Sequence, residues 1–197
     1  SLSILLASLG LGPLAWAEPV TPIQNSELNR ELFYQLLLGE FSAINGDAGS
    51  AYALMLDAAR RTQSDKLFER AIELALRARS ADAALDAARA WQRAVPTSKE
   101  ANRYVLQILI GLNRIPDTQE PIRRILAKSP ISERPALISQ LPLYFSRTTE
   151  KKLATKVIEQ ALAPDIARRQ TSSAAWSTIG VMRLQASDPK GALEAAQ

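Results

Sequence analysis

Covalent and acid–base chemistry need particular side chains, and this chain supplies few of them. Its 197 residues contain no Cys and no His. Thiol nucleophiles, disulfides, Cys/His metal sites and imidazole catalysis are therefore excluded together. Carboxylate and lysine chemistry remain. Glu69 and Glu73 stand four residues apart, which places both carboxylates on one face of a helix. No third catalytic group and no metal-ligand set accompanies this acid pair. The 8 glycines are scattered and build no phosphate-binding loop. The basic doublets Arg60-Arg61, Arg123-Arg124, Lys151-Lys152 and Arg168-Arg169 lack the interleaved aromatics of a nucleic-acid surface. Neither catalysis, nor a cofactor or metal, nor a nucleic-acid partner is expected.

The elements that must carry any remaining function are helical. Ala, Leu and Arg are abundant, β-branched runs are scarce and 47% of the residues are apolar, a composition that favours helix. Charge is uneven. Residues 1–100 hold 10 basic and 12 acidic side chains, and residues 101–197 hold 14 and 8. The basic second half could meet an acidic partner, and the alternative is a solvated surface rich in Arg.

Residues 1–17, SLSILLASLGLGPLAWA, carry no charge. Pro13 interrupts them, and Ala15-Trp16-Ala17 supplies the small–x–small pattern of a signal-peptidase site before Glu18 and Pro19. The stretch reads as a secretory signal without its basic start, too short and interrupted to span a membrane. The alternative is an apolar helix packed on the fold. On the first reading the mature protein begins near Glu18, is exported, and has no lipobox cysteine.

A period of 34 residues runs through the rest. Pro96, Pro130 and Pro164 fall at that spacing, each after a helical stretch, where proline is expected to stop the helix. The end of the chain also repeats an earlier stretch. Leu38-Gly39, Gly46-Asp47 and Ala51 return 141 residues later as Ile179-Gly180, Ser187-Asp188 and Ala192. That shift is four periods and five residues, the extra residues falling in the polar segment 165–173. Trp176, Ile179, Gly180 and Ala192 in the last unit, and Leu38, Gly39, Ala51 and Ala58 in the first, are similar to the tetratricopeptide repeat family, whose unit is two antiparallel helices. The middle units fit less closely. Ile72 stands at the glycine position and Trp91 at a small-residue position. Pro142 falls inside a first helix, which is expected to kink or to start late.

The resemblance implies an all-α fold, a right-handed α-α superhelix of helix pairs. A signal remnant at 1–17 and an arm at 18–30 precede a repeat domain at 31–197. Ending within the second helix of a fifth unit, that domain reads as a piece of a longer solenoid. Gly39 and Gly180 are expected where first helices touch. The family binds peptides on a concave face lined by first helices. Carried over, its contact positions give Phe33, Leu36 and Glu40; Lys66, Glu69 and Glu73; Glu100, Arg103 and Gln107; and Ser177 and Val181. Phe33 and Leu36 could instead pack against the arm 18–30. A one-period offset is expected to set Glu69 beside Arg103 and Glu73 beside Gln107. The family's clamp for acidic C-terminal tails is absent.

The entry NRELFYQLLLGE at 29–40 is similar to envelope tetratricopeptide proteins of Gram-negative bacteria. One branch delivers cell-wall hydrolases to a carboxyl-terminal processing protease, although its members are typically lipoproteins. The function implied is a non-catalytic scaffold or adaptor in the periplasm or on the inner face of the outer membrane. Its partner would be a protein or peptide, such as an envelope protease or its substrates, with the membrane reached only by association. The alternative is the solenoid portion of a larger glycan-processing or glycosyl-transfer enzyme.

Overall fold

The computed structural model describes residues 30–197, and every regular element among them is helical. The expectations for residues 1–17 and for the arm up to residue 29 lie outside the described residues. Ten α-helices follow in order: α1 (Arg30–Ile44), α2 (Ala48–Thr62), α3 (Asp65–Arg77), α4 (Ala81–Ala94), α5 (Lys99–Gly111), α6 (Gln119–Lys128), α7 (Arg134–Tyr144), α8 (Lys151–Ile166), α9 (Ser172–Gln185) and α10 (Pro189–Ala196). A 3-10 turn at Ile115–Thr118 leads into α6. These form five pairs, with first helices starting at residues 30, 65, 99, 134 and 172. The unit frame drawn from the proline spacing is therefore met, and the extra residues lie between α8 and α9.

From α1 to α5 and from α8 to α10 each helix packs mainly on its chain neighbours, whereas α6 reaches α8 and α7 packs on α9; the whole is the all-α solenoid expected. Small side chains permit the close approach. Ala51, Ala58, Ala71, Ala84, Ala87 and Ala88 are fully buried. The two glycines serve the same end at a different contact from the one expected. A Cβ on Gly39 would meet Met55 Cε at 2.9 Å and Leu54 Cβ at 3.5 Å, both on α2. A Cβ on Gly180 would meet the Ala192 carbonyl at 3.6 Å and Ala195 Cβ at 3.8 Å, both on α10. The glycines thus sit inside their own helix pairs, not between first helices. Trp91 fills its small-residue position by going inside. It is fully buried, stacks on Phe68 at 6.0 Å, and donates from Nε1 to Asp65 at 2.5 Å.

The turn inside each pair repeats at atomic level. Gly46, Arg79, Asn113 and Ser187 all take the left-handed conformation, with φ of 84°, 55°, 55° and 62°. In each case the next residue's N–H reaches the carbonyl five residues back: Asp47 to Ser42, Ser80 to Ala75, Arg114 to Leu109 and Asp188 to Arg183, all at 2.8–2.9 Å. This Schellman closure uses carbonyls that the helix end leaves free. Asp47 and Asp188 then cap the following helices, accepting from the N–H of Ser50 and Gly191 at 3.0 Å.

Unit four breaks the pattern. α7 starts on time at Arg134 but ends at Tyr144, so Pro142 shortens the helix instead of delaying it. Without a left-handed closure, the Lys151 ammonium caps the α7 end, donating to the carbonyls of Phe145 and Ser146 at 2.8 and 2.6 Å. Proline also lacks the N–H that would serve the carbonyl four residues back. For Pro142 that carbonyl belongs to Ile138, and the buried Thr178 hydroxyl on α9 donates to it at 3.1 Å. Pro164 was expected to stop α8, yet the helix runs on to Ile166. The carbonyl it leaves free, at Gln160, accepts from Arg123 on α6 at 3.1 Å. Both prolines are tolerated because a neighbouring helix supplies the missing donor.

Candidate functional site

The break in unit four opens a space. Second helices lie extensively against the next first helix at α2–α3, α4–α5 and α8–α9, but α6 and α7 barely touch. α6 reaches α8 instead, and α7 leans on α9. Between α5, α6 and α7 lies a cavity of about 260 Å³. From α5 it is lined by Lys99, Glu100, Asn102 and Arg103, from α6 by Ile125 and Lys128, and from α7 by Leu137, Gln140 and Tyr144. Ser129 and Glu133 close it between α6 and α7. Below it a recess of about 40 Å³ continues between Leu106, Ile122, Leu126 and Leu141, sharing Ile125, Leu137, Gln140 and Tyr144 with the space above. On the far side of Tyr144 a wider hollow follows α5 past Gln107, Ile110 and Gly111 to Arg147. Tyr144 borders all three, so they lie in series along the line between the first helices α5 and α7, hereafter the groove, with an apolar floor beneath the first of them.

Helix spacing makes the α5 wall. Glu100, Arg103, Gln107 and Gly111 recur at three- and four-residue steps on one face, while Val105, Leu106, Ile108 and Leu109 point into the core. Charges on the rim are partly spoken for. Lys99 Nζ lies 3.8 Å from Glu133 Oε2 and bridges α5 to the start of α7. Asn102 is satisfied, donating to the Ser98 carbonyl at 2.7 Å and accepting from Gln92 at 2.8 Å. Arg103 and Lys128 are exposed cations without an ion-pair partner among the described residues, and Glu100 is the one carboxylate on this rim in the same state. The arrangement can hold an apolar side chain in the floor and attract a carboxylate at the rim. It has no group disposed for acid–base or nucleophilic work.

The residues named from sequence divide into three groups. Arg103 and Gln107 line the groove, as does Glu100. Glu40, Lys66, Glu69 and Glu73 are engaged within the chain. Arg70 forks onto Glu40 at 2.7 and 2.8 Å and reaches Glu73 at 3.0 Å, and Lys66 meets Glu69 at 3.0 Å. That fork holds the Glu40 carboxyl below its ordinary range and raises the Arg70 guanidinium. Glu69 and Glu73 form ion pairs along α3 itself, and among the described residues no hydrogen bond or ion pair joins Glu69 to Arg103 or Glu73 to Gln107. In the third group, Leu36 is half-buried against the core, whereas Phe33, Ser177 and Val181 are exposed on α1 and α9.

The opposite wall of the groove, Leu137, Gln140 and Tyr144, was not named. Leu137 stands one 34-residue period after Arg103, and that offset was the available signal. Arg70 was also missed, since nothing in the sequence marks a partner 30 residues from Glu40.

No family model matches the chain, and no curated protein matches it. Among solved structures, a crystal structure of MamA protein is similar with a TM-score of 0.46 and 12% identity, covering 83% of this chain and 87% of that one. MamA 41-end from Desulfovibrio magneticus RS-1 is similar at the same TM-score and identity, over 85% and 92%. A further crystal structure of MamA has a TM-score of 0.43 and 13% identity, over 80% and 89%. At this distance the likeness concerns the course of the helices, and the groove is read from this chain's own residues.

Proposed function

We propose that this chain is a non-catalytic protein-binding module of the bacterial cell envelope that takes an extended segment of a partner protein into the groove between α5 and α7. The observation that carries the reading is the α5–α6–α7 cavity, with its aliphatic floor and the free cations Arg103 and Lys128 at its rim. Its size selects the occupant. Small-molecule sites usually enclose about 300–1,000 Å³, whereas about 150 Å³ already accommodates a benzene ring. At about 260 Å³ the space above the floor suits one aliphatic or aromatic side chain, and the open hollow of about 580 Å³ past Tyr144 leaves room for the rest of an extended segment. The rim charges favour Asp or Glu beside that side chain, and an extended backbone would run on past Tyr144 toward Gln107. Export to the periplasm or the inner face of the outer membrane is part of the proposal. It is supported by the uncharged residues 1–17 and Ala15-Trp16-Ala17. The partner proposed is an envelope protein, such as a protease or its substrates, on the resemblance of residues 29–40 to envelope repeat proteins.

The test is selection from a displayed random-peptide library, followed by fluorescence anisotropy with an enriched peptide. Enrichment of an aliphatic residue next to Asp or Glu is expected. Leu137→Asp should abolish binding by charging the floor. Arg103→Ala should weaken it modestly and reduce its salt dependence, because an exposed rim charge acts chiefly on association. Binding untouched by Leu137→Asp, or selection without any shared motif, would remove the groove from consideration.

A further inference from the structure

Among the described residues, exposed large apolar side chains concentrate on α1, outside this groove. Phe33, Tyr34, Leu37, Leu38, Phe41 and Ile44 are between 42% and 79% exposed. At 150–250 Å² for a large side chain, the six together present on the order of 600 Å². The largest patch on a typical monomer is about 300–600 Å², and a stable complex buries about 800 Å² on each partner. The polar side chains of α1 accentuate the patch by turning home. Glu31 pairs with Arg61 at 3.1 Å, Gln35 donates to the Leu54 carbonyl and Asp57 at 2.8 and 2.9 Å, and Glu40 is forked by Arg70. α3 shows the contrast. It is packed by α2 on one side and α4 on the other and buries five residues, whereas α1 packs on α2, is reached from α3 by Arg70 at Glu40, and buries Leu32 and Gly39.

The spacing on this face says what fits it. Tyr34, Leu37, Phe41 and Ile44 follow three-, four- and three-residue steps, the spacing of a seam between two packed helices. The seam is also complementary to itself. When a second α1 runs antiparallel about an axis level with Gly39, Tyr34 meets Ile44 of the other copy and Leu37 meets Phe41. Every layer then pairs an aromatic with an aliphatic side chain, which keeps layer volumes even and no charge in the seam. A patch that fits itself in this way makes a closed two-fold contact. We propose that two copies of this chain associate through α1, antiparallel, with Tyr34, Leu37, Phe41 and Ile44 as the seam.

The experiment uses the full chain in analytical ultracentrifugation over a wide concentration range. A two-copy mass is expected, reduced to one copy by Leu37→Glu/Phe41→Glu with helicity by circular dichroism retained. Ile44→Asp, at the most exposed position at the helix end, gives the same readout with little bearing on folding and decides the matter if the double variant unfolds. Orientation is read from disulfides, since the chain has no Cys of its own. Tyr34→Cys and Ile44→Cys proteins, mixed and oxidised, should cross-link to each other and not to themselves. A single-copy mass at all concentrations overturns the proposal, including the case in which residues 1–29 cover the face. So does a dimer that survives Ile44→Asp, a Tyr34→Cys protein that cross-links to itself, or a chain that floats with phosphatidylglycerol vesicles instead of pairing.

Discussion

Thr178→Val tests whether unit four owes its shape to a hydrogen bond that replaces one lost to proline. Ile138 and Thr178 are both buried, and the hydroxyl donates to the Ile138 carbonyl at 3.1 Å. Pro142 has no N–H to offer that carbonyl, so removing the hydroxyl orphans it. Valine has nearly the shape of threonine, so no cavity accompanies the change. The cost is therefore that of one buried unsatisfied acceptor, about 1–3 kcal/mol. For a chain of this size that lowers the melting temperature by roughly 2–4 °C per kcal/mol. The cost should shrink to a few tenths of a kcal/mol in a Pro142→Ala background, because residue 142 then supplies the N–H itself. Thr155→Val is the control. Thr155 also donates its hydroxyl to helix carbonyls, those of Lys151 and Met182. The Met182 carbonyl already accepts from the Ala186 N–H at 3.0 Å, and Lys151 lies in the first turn of an uninterrupted stretch of α8, so neither is orphaned. All four members of the cycle would be compared by urea unfolding at the helical dichroism band. An equal cost of Thr178→Val with and without Pro142, or a cost matched by Thr155→Val, would refute the reasoning.

Three further outcomes follow from named contacts. Arg134 Nη1 lies 3.5 Å from the buried Asp165 Oδ1, which has no hydrogen bond, so Arg134→Met should destabilise by about 3–5 kcal/mol in urea unfolding, and Asp165→Asn should recover part of it. The Glu40 carboxyl is held below its ordinary 4.5 by the hydrogen bond from Arg70, so its contribution is complete above that pH and is lost as pH falls through the lower folded value; in Arg70→Met that contribution is absent at every pH, so α1 should exchange faster at neutral pH and show a smaller further loosening on acidification, read by hydrogen exchange. Gly180→Ala should stabilise by about 0.5–1 kcal/mol in thermal unfolding, because the added Cβ finds only ordinary contacts against α10.

The repeat was legible because its turn chemistry is local. Gly46-Asp47 and Ser187-Asp188 each join a left-handed residue to a capping aspartate, and both halves of that device can be read from two letters. Asn113 is of a type that favours the left-handed region, but Arg79 takes it without announcing it, since Arg is an unlikely left-handed residue by type and only its place in the period requires it. The prolines misled in one respect. A donor brought from another helix, such as Arg123 to Gln160, is a tertiary fact, and without it Pro164 reads as a helix end. The ion pairs were invisible for the same reason. Glu40 and Glu73 look free in sequence, yet Arg70 takes both, which leaves Glu100, Arg103 and Gln107 as the charged and amide groups of the expected set that still face a cavity.

The position of that cavity follows from where the repeat is weakest. A solenoid whose units all match would carry each second helix tightly onto the next first helix, as α2 does on α3. Pro116 and Pro121 delay and shorten α6, and Pro142 cuts α7, so the corresponding contact between units three and four is nearly lost. The core responds by dividing, with Val105, Ile108 and Leu109 of α5 facing one cluster and Leu106 facing the other. Side chains that would have met across the junction, Leu137 and Ile125 among them, are left half-covered above a small void. Half-covered aliphatic groups beside unpaired cations are what a binding floor requires, and here they arise from departures from the repeat rather than from agreement with it. The hollow bordering the last unit, between α8, α9 and α10, is lined mainly by polar side chains and has no aliphatic floor of this kind. Filling the void should therefore trade binding for stability. Leu141→Phe is expected to raise the urea midpoint if the recess admits the ring, and to weaken capture of a selected peptide in the same protein. A variant that gained stability and bound unchanged would place the binding floor elsewhere.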